Sequence, residues 1–277
     1  WSANIEYGIY KIGNLLIVSY IALVYFAVAI KLTTLTYFMK SIVIILTLLL
    51  FITIIFKLKF GFFDREVMFF LNGPIVFGKI MGIGAALSLV AFDSTKKFLF
   101  FMIFFLATVW TASKGPILSL LVVSTVYSII AFDFKKNVLI LFIVTALFFF
   151  LMENRFLFEE YGLTRILAVI DYYSTDSKTL SSISVRLGVA QETIKLILEH
   201  PIFGVGLGGW ANSLINNGLM YPHNFFLEVF SEGGWLFGIL FCVPYLIFLN
   251  SARSKLFYAS LFLLISQQFS GDLLDSR

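Results

Sequence analysis

Residues 37–56 read YFMKSIVIILTLLLFITIIF, twenty positions carrying a single charge at Lys40. At about 1.5 Å per residue, a helix of that length crosses a hydrocarbon core of about 30 Å. The rest of the chain has the same character. Further apolar runs lie at 12–30, 74–92, 98–112, 115–132, 137–152, 233–249 and 256–270. Over all 277 residues the chain is 60% hydrophobic, 18% aromatic and 13% charged, whereas soluble domains run near 45–50% apolar and about 25% charged. Too little polar side chain remains to cover a surface facing water. A cytosolic enzyme, a disordered tail and a disulfide scaffold are excluded, the last also because Cys242 is the single cysteine. The expected fold is an all-α integral membrane protein of about eight transmembrane helices, with one large outer-face loop.

Orientation follows from the basic loops. Lys31 with Lys40, Lys96 with Lys97, Lys135 with Lys136, and Arg253 with Lys255 occupy alternate connections, a positive-inside pattern. The amino terminus, 57–66, 113–115, 153–224 and the carboxyl end then share the other face, with the basic stretch from Lys57 to Arg65 running against the rule. Residues 1–152 would hold six spans and 225–277 the last two. Between them, 153–224 forms the large loop, with an amphipathic helix over 185–200 whose apolar positions Leu187, Ala190, Ile194 and Ile197 recur at helical spacing. Pro201 ends it. Two spans meet at Ser113-Lys114-Gly115-Pro116, a tight helical hairpin with Pro116 in the first turn. No internal repeat, and no signal peptide at the opening Trp1, is expected.

The stretch from His200 to Trp210, HPIFGVGLGGW, and the following YPHNFFLE from Tyr221 to Glu228 stand out. Glycines after a proline-stopped helix imply a sharply turning backbone, but no strand precedes them, so they are not a dinucleotide fingerprint. His223, just before a span, suits a general base near neutral pH, or else an interfacial histidine satisfying a carbonyl. His200 fits a helix carboxyl end. Neither histidine has a partner at metal-ligand spacing, so no metal is expected. Lys114 at a membrane hairpin is either functional or a snorkelling lysine, and Arg186 either functional or a surface residue. Arg65 and Lys79 frame Asn72-Gly73-Pro74 with weaker claims. Tyr172, Tyr173 and Trp210 either line a sugar groove or sit at the lipid interface, which aromatic belts favour. No basic run with interleaved aromatics points to nucleic acid.

Taken in order, these residues resemble the O-antigen ligase and O-antigen polymerase family of bacterial envelope enzymes. The resemblance lies in Thr111-Ala112-Ser113-Lys114-Gly115, in Val185-Arg186-Leu187, in His200-Pro201 with Gly204-Val205-Gly206, and in His223-Asn224 with Leu227-Glu228 and Gly233-Gly234. Tyr7-Gly8, Lys11 and Asn72-Gly73-Pro74 are similar more loosely. The resemblance implies a multi-pass glycosyltransferase of the GT-C type in the bacterial inner membrane, acting at the periplasmic or outer face without metal or nucleotide sugar. Its donor would be a glycan on undecaprenyl pyrophosphate. Its acceptor would be a second lipid-linked glycan, or lipid A core or a protein hydroxyl in a ligase, with membrane lipid around it and a chain-length regulator protein as a candidate partner.

The family's residues carry over to His223, Arg186 and Lys114 as catalytic, and Arg65, Asn224, Glu228, Gly204 and Gly206 are expected to bind substrate. Lys114 departs from the arginine more usual there and loses the bidentate fork for phosphate oxygens. Family members also have more spans and a cytoplasmic amino terminus, so further helices before Trp1 are expected. Three functions compete: a polymerase of repeat units, a ligase of the finished glycan, and a lipid-glycan flippase.

Overall fold

A computed structural model of the chain describes residues 5–14, 32–62, 69, 73–130, 177–212, 221–249 and 256–270. All regular elements among them are helical: α1 (Ile5–Asn14), α2 (Leu32–Phe60), α3 (Pro74–Ala91), α4 (Ser94–Trp110), α5 (Lys114–Ile130), α6 (Ser177–Glu199), a 3-10 turn (Trp210–Asn212), α7 (Phe225–Leu249) and α8 (Phe257–Ser270). The all-α membrane architecture is therefore present. Within the described residues three segments are long and apolar enough to span, Leu35–Phe60, Pro74–Ala91 and Phe225–Val243, with shorter apolar helices at Lys114–Ile130 and Phe257–Phe269. The predicted spans 12–30 and 137–152 lie outside the described residues, apart from the end of α1.

Two boundaries move. The helix predicted at 185–200 begins at Ser177, so Arg186 lies in its interior and not at its head. The span predicted at 233–249 begins at Phe225. Glu228 and Glu232, two acids that interrupt the apolar pattern before 233, are enclosed in the same helix, where one buried lysine described below contacts both.

The chain forms two compact units. One comprises Thr33–Thr175 and Ser254–Ser266. Its long helix α2 turns Met39, Val43, Leu50, Thr53 and Lys57 inward and leaves Ile44, Ile45, Leu48, Phe51, Ile52 and Ile55 exposed, the division expected of a helix with lipid on one side. The central α3 starts with Pro74 in its first turn and packs through small residues, which let backbones approach closely. A Cβ on Gly84 would meet the Phe104 ring at 2.9 Å, one on Gly78 would meet Thr111 Oγ1 at 2.8 Å, and one on Gly82 would overlap the Phe262 ring.

The other unit comprises Trp1–Leu32, Asp176–Arg253 and Gln267–Arg277. It is built on α6, α7, the loop between them and the short α1. Phe225 and Val229 form its apolar centre, with Leu207, Phe226, Phe237 and Phe241 packed around them. Trp210 is fully buried and its indole donates to Thr193 Oγ1 at 3.0 Å. It neither lines a groove nor sits at the lipid interface, because its ring fills the space between α6 and the loop and its N–H is satisfied there. Tyr172 and Tyr173 lie outside the described residues.

Candidate active site

Helix α7 is broken at Gly234, whose φ of 65° and ψ of −171° no helix contains. A break frees carbonyls on one side and N–H groups on the other, and each is expensive to leave unsatisfied away from water. The loop after Pro201 satisfies both sets. Val205 and Gly206 donate their N–H groups to the carbonyls of Ser231 and Glu232, each at 2.9 Å. In return Trp235 donates to the Pro201 carbonyl at 2.7 Å and Leu236 to that of Ile202 at 3.4 Å. Such contact needs glycine. A Cβ on Gly204, at φ 63°, would come within 2.5 Å of the Ser231 carbonyl oxygen, and one on Gly234 would overlap the backbone of Ile202. Gly204 and Gly206, expected to bind substrate, are thus engaged with the backbone of α7.

The side chains add a second tie. Glu228 and Glu232 stand four apart on one face of α7, and Lys11 from α1 reaches both. Its ammonium donates to Glu228 and, at 2.8 Å, to each oxygen of Glu232. All three side chains are buried. The Glu232 carboxylate also accepts from the backbone N–H of Gly208 and Trp210. Gly208 lies so close to α1 that a Cβ there would stand 2.9 Å from the Gly8 nitrogen. One cluster thereby joins α1, the glycine loop and the first half of α7. Sequence reasoning took Glu228 for a substrate ligand and passed over Glu232. The signal was there: two acids at helical spacing in an apolar run demand a cation, and Lys11 was one.

Beside this scaffold lie the residues expected to act. Arg186 donates through Nη1 to the carbonyl of Phe269 at 3.1 Å, and Asn224 donates through Nδ2 to the carbonyl of Gln268 at 3.2 Å. Those consecutive carbonyls belong to the last turn of α8, where intrahelical donors run out and partial negative charge gathers. The dipole that explains Arg186 is therefore that of α8 and not that of its own helix. The exposed guanidinium has five N–H donors, and one of its nitrogens is fixed on this carbonyl. Asn224 works at both ends, since its Oδ1 accepts the N–H of Leu227 at 3.0 Å and caps α7. Directly before it, His223 takes a left-handed φ of 57° and its ring lies 4.5 Å from that of Tyr221, edge to face. Left-handed backbone at a residue with a Cβ is uncommon and concentrates at functional sites. Arg186 and the His223-Asn224 pair are thus brought to one helix end.

Lys114 belongs to the other unit. There Thr111, Ala112 and Ser113 turn the chain between α4 and α5, with Ala112 N–H donating to Val109 at 2.9 Å and Thr111 Oγ1 to Thr108 at 2.8 Å. The predicted hairpin is present, with Ala112 left-handed at φ 51°. Half-buried Lys114 opens α5, which adds a full positive charge to the positive end of a helix, a setting that attracts anions. Before the turn, Trp110 stacks on Phe62 at 4.8 Å and donates its indole N–H to the Phe62 carbonyl at 2.9 Å. The buried ammonium of Lys57 sits 3.9 Å from the centre of the Phe69 ring and 5.6 Å from that of Trp110. Lys79 is buried too, one residue from the Gly78 that faces Thr111. Arg65 and Asn72 lie outside the described residues.

No curated protein matches the chain. The family model described as O-Antigen ligase matches residues 99–243. That stretch takes in the hairpin, Arg186, the glycine loop, His223 and the two buried glutamates, and it covers more than half of the chain. The chain accordingly belongs to the O-antigen ligase family.

Proposed function

We propose that this membrane protein of the O-antigen ligase and polymerase type is a polymerase: it transfers a glycan from undecaprenyl pyrophosphate to a sugar hydroxyl of a second lipid-linked repeat unit, at the outer face of the inner membrane. The observation that supports this reading best is the meeting of Arg186 and Asn224 on consecutive carbonyls of Phe269 and Gln268, with His223 adjoining. The acceptor hydroxyl attacks the anomeric carbon while the bond from that carbon to the pyrophosphate oxygen breaks and the electron pair leaves with the lipid pyrophosphate. His223 takes the hydroxyl proton, a contribution of about 10²–10⁴ in rate. Arg186 stabilises the charge gathering on the leaving group, and electrostatic stabilisation of that kind usually contributes most to lowering such a barrier. Glu228, Gly204 and Gly206 serve the frame that holds these groups.

A second reading keeps the chemistry and changes the acceptor. The description of the matching family favours a ligase, which joins the glycan once to lipid A core or to a protein hydroxyl. Purified protein given lipid-linked repeat units alone separates the two. A ladder on a gel, lost in both His223→Ala and Arg186→Ala, supports the polymerase and the parts that His223 and Arg186 play in it. Intact protein that makes no ladder until lipid A core is added, and then a single product, overturns the polymerase in favour of the ligase. A full ladder from either variant overturns that residue's role.

A further inference from the structure

The surface of α6 divides into three sectors. Val189, Thr193 and Ile197, four apart, are buried against the protein. Gln191, Glu192, Lys195 and Glu199 are exposed on another side, where Lys195 and Glu192 pair at 2.6 Å with both side chains largely solvent-accessible. The third sector is apolar and also exposed: Leu187, Ile194 and Leu198, spaced by seven and four, at 60%, 48% and 67% of full exposure. A helix with only water beyond the protein has no use for that third sector. The sequence reading grouped Leu187 and Ile194 with the buried Ile197; they occupy a different face.

The apolar stripe does not stop at the helix. Ile202 and Phe203, the next apolar residues, are exposed as well. The hydrogen bonds from Trp235 to Pro201 and from Leu236 to Ile202 hold this segment against the second half of α7. On α7 the exposed residues are Trp235, Leu236, Ile239, Leu240 and Val243, one face of a helix long and apolar enough to span the bilayer. Past the exposed Glu199 and His200, the stripe on α6 is taken up by Ile202 and Phe203, which the backbone tie joins to the lipid-facing side of a membrane span. Trp235 stands at the junction, a residue type favoured at membrane interfaces.

We infer that α6 is an interfacial helix, with Leu187, Ile194, Leu198, Ile202 and Phe203 immersed in the bilayer and Glu192, Lys195 and Glu199 facing water. Lipid chains, and not a second protein, cover the stripe, because the covering is continuous with that of α7. Burying such a stripe is favourable in proportion to its apolar area, and amphipathic helices of this kind ride about 5–10 Å into the boundary between headgroups and acyl chains. A consequence rests on the function proposed above. Arg186, one residue before Leu187, is held at headgroup depth, the level at which the pyrophosphate of a lipid-linked donor lies.

The full chain, with Cys242 replaced by Ser and single cysteines introduced at 194, 198, 203, 192 and 195, is spin-labelled in lipid nanodiscs; a label at 239 gives the lipid reference. Accessibility to oxygen, which concentrates in lipid, is compared with that to a water-soluble nickel chelate. Positions 194, 198 and 203 should match 239, with an oxygen preference several-fold above that at 192 and 195. Nickel accessibility at 194, 198 and 203 equal to that at 195 overturns the inference in favour of a water-facing stripe. Shielding of the three from both reagents overturns it in favour of a protein cover. No activity is read, so failure of the catalytic proposal leaves this result untouched.

Discussion

The two units answer the same difficulty, cations inside a largely apolar protein, in different ways. In the unit holding α7, Lys11 meets two carboxylates, and the backbone itself is opened and resealed by a second segment. In the unit holding α3, helices stay regular, glycines admit rings, and the buried ammonium of Lys57 lies over the face of Phe69. The first solution is specific and intolerant, because charge and backbone partners must all be present. The second is graded, because rings and small residues can shift a little. Arg186 and His223, the residues proposed to act, belong to the intolerant unit, and Lys114 is placed by the graded one.

The largest difference should come from the ion cluster. Lys11→Met leaves two carboxylates buried together, and breaking a buried pair from one side costs about 3–5 kcal/mol. A fall in the melting temperature of the detergent-solubilised protein is expected, large enough to empty the folded peak in size exclusion. The triple variant Lys11→Met, Glu228→Gln, Glu232→Gln removes every charge and should recover most of the loss. If the triple variant is no better than the single one, the cluster does more than balance charge.

Glycines sharpen the contrast. A Cβ at Gly82 strikes first the Phe262 ring, whereas a Cβ at Gly234 strikes first the backbone of Ile202. Gly82→Ala should destabilise by about 1–3 kcal/mol, the usual range for overpacking, and Phe262→Leu in the same chain should restore much of it. Gly234→Ala adds left-handed strain of about 1–2 kcal/mol to the overlap, and trimming a neighbouring side chain should not rescue it. Melting temperatures of the two pairs check this. Rescue of Gly234→Ala by Phe237→Leu would mean that the break in α7 can slide.

These outcomes also mark what the sequence could say. Composition and span length read the membrane fold correctly because apolar length is a local property. The hairpin at Ser113 to Pro116 was legible for the same reason, its turn and proline being adjacent. The broken α7 was not. Its helix runs through two glutamates that only a lysine 217 residues away makes tolerable, and its break at Gly234 is admissible only because a loop thirty residues earlier supplies the missing partners. Trp210 was misread likewise, since the hydroxyl that buries it is on another helix. Arg186 and His223 could be picked out by type and order. That Arg186 and Asn224, the residue after His223, share the end of α8 depends on Phe269 and Gln268, which offer only carbonyls and leave no mark in the residue pattern.

The aromatic solution should yield less when broken. Lys57→Met keeps the length and removes the ammonium from Phe69 and Trp110. A desolvated cation–π contact is worth about 2 kcal/mol, so a modest drop in melting temperature is expected, smaller than for Lys11→Met. Lys57→Arg, which can stack on the same rings, should lie between Lys57→Met and the native protein. An effect as large as that of Lys11→Met would erase the difference drawn between the units.

The smallest effect on stability is also the one that best separates holding from acting. Asn224→Ala removes the cap on α7, a loss of about 1 kcal/mol, together with the tie to Gln268. Asn224→Asp keeps an oxygen for the Leu227 N–H and places negative charge at a helix amino terminus, where it is favoured, yet it cannot donate to the Gln268 carbonyl. The favoured charge at α7 is opposed by repulsion between the new carboxylate and the Gln268 carbonyl, so stability of the aspartate variant should lie between that of the alanine variant and that of the native protein. If the link to α8 positions His223, glycan-forming activity of the aspartate variant falls about as far as that of the alanine variant. If activity instead follows the cap, Asn224→Asp remains active while Asn224→Ala does not, and the shared end of α8 is then a fastening of the fold with no part in positioning the reactive groups.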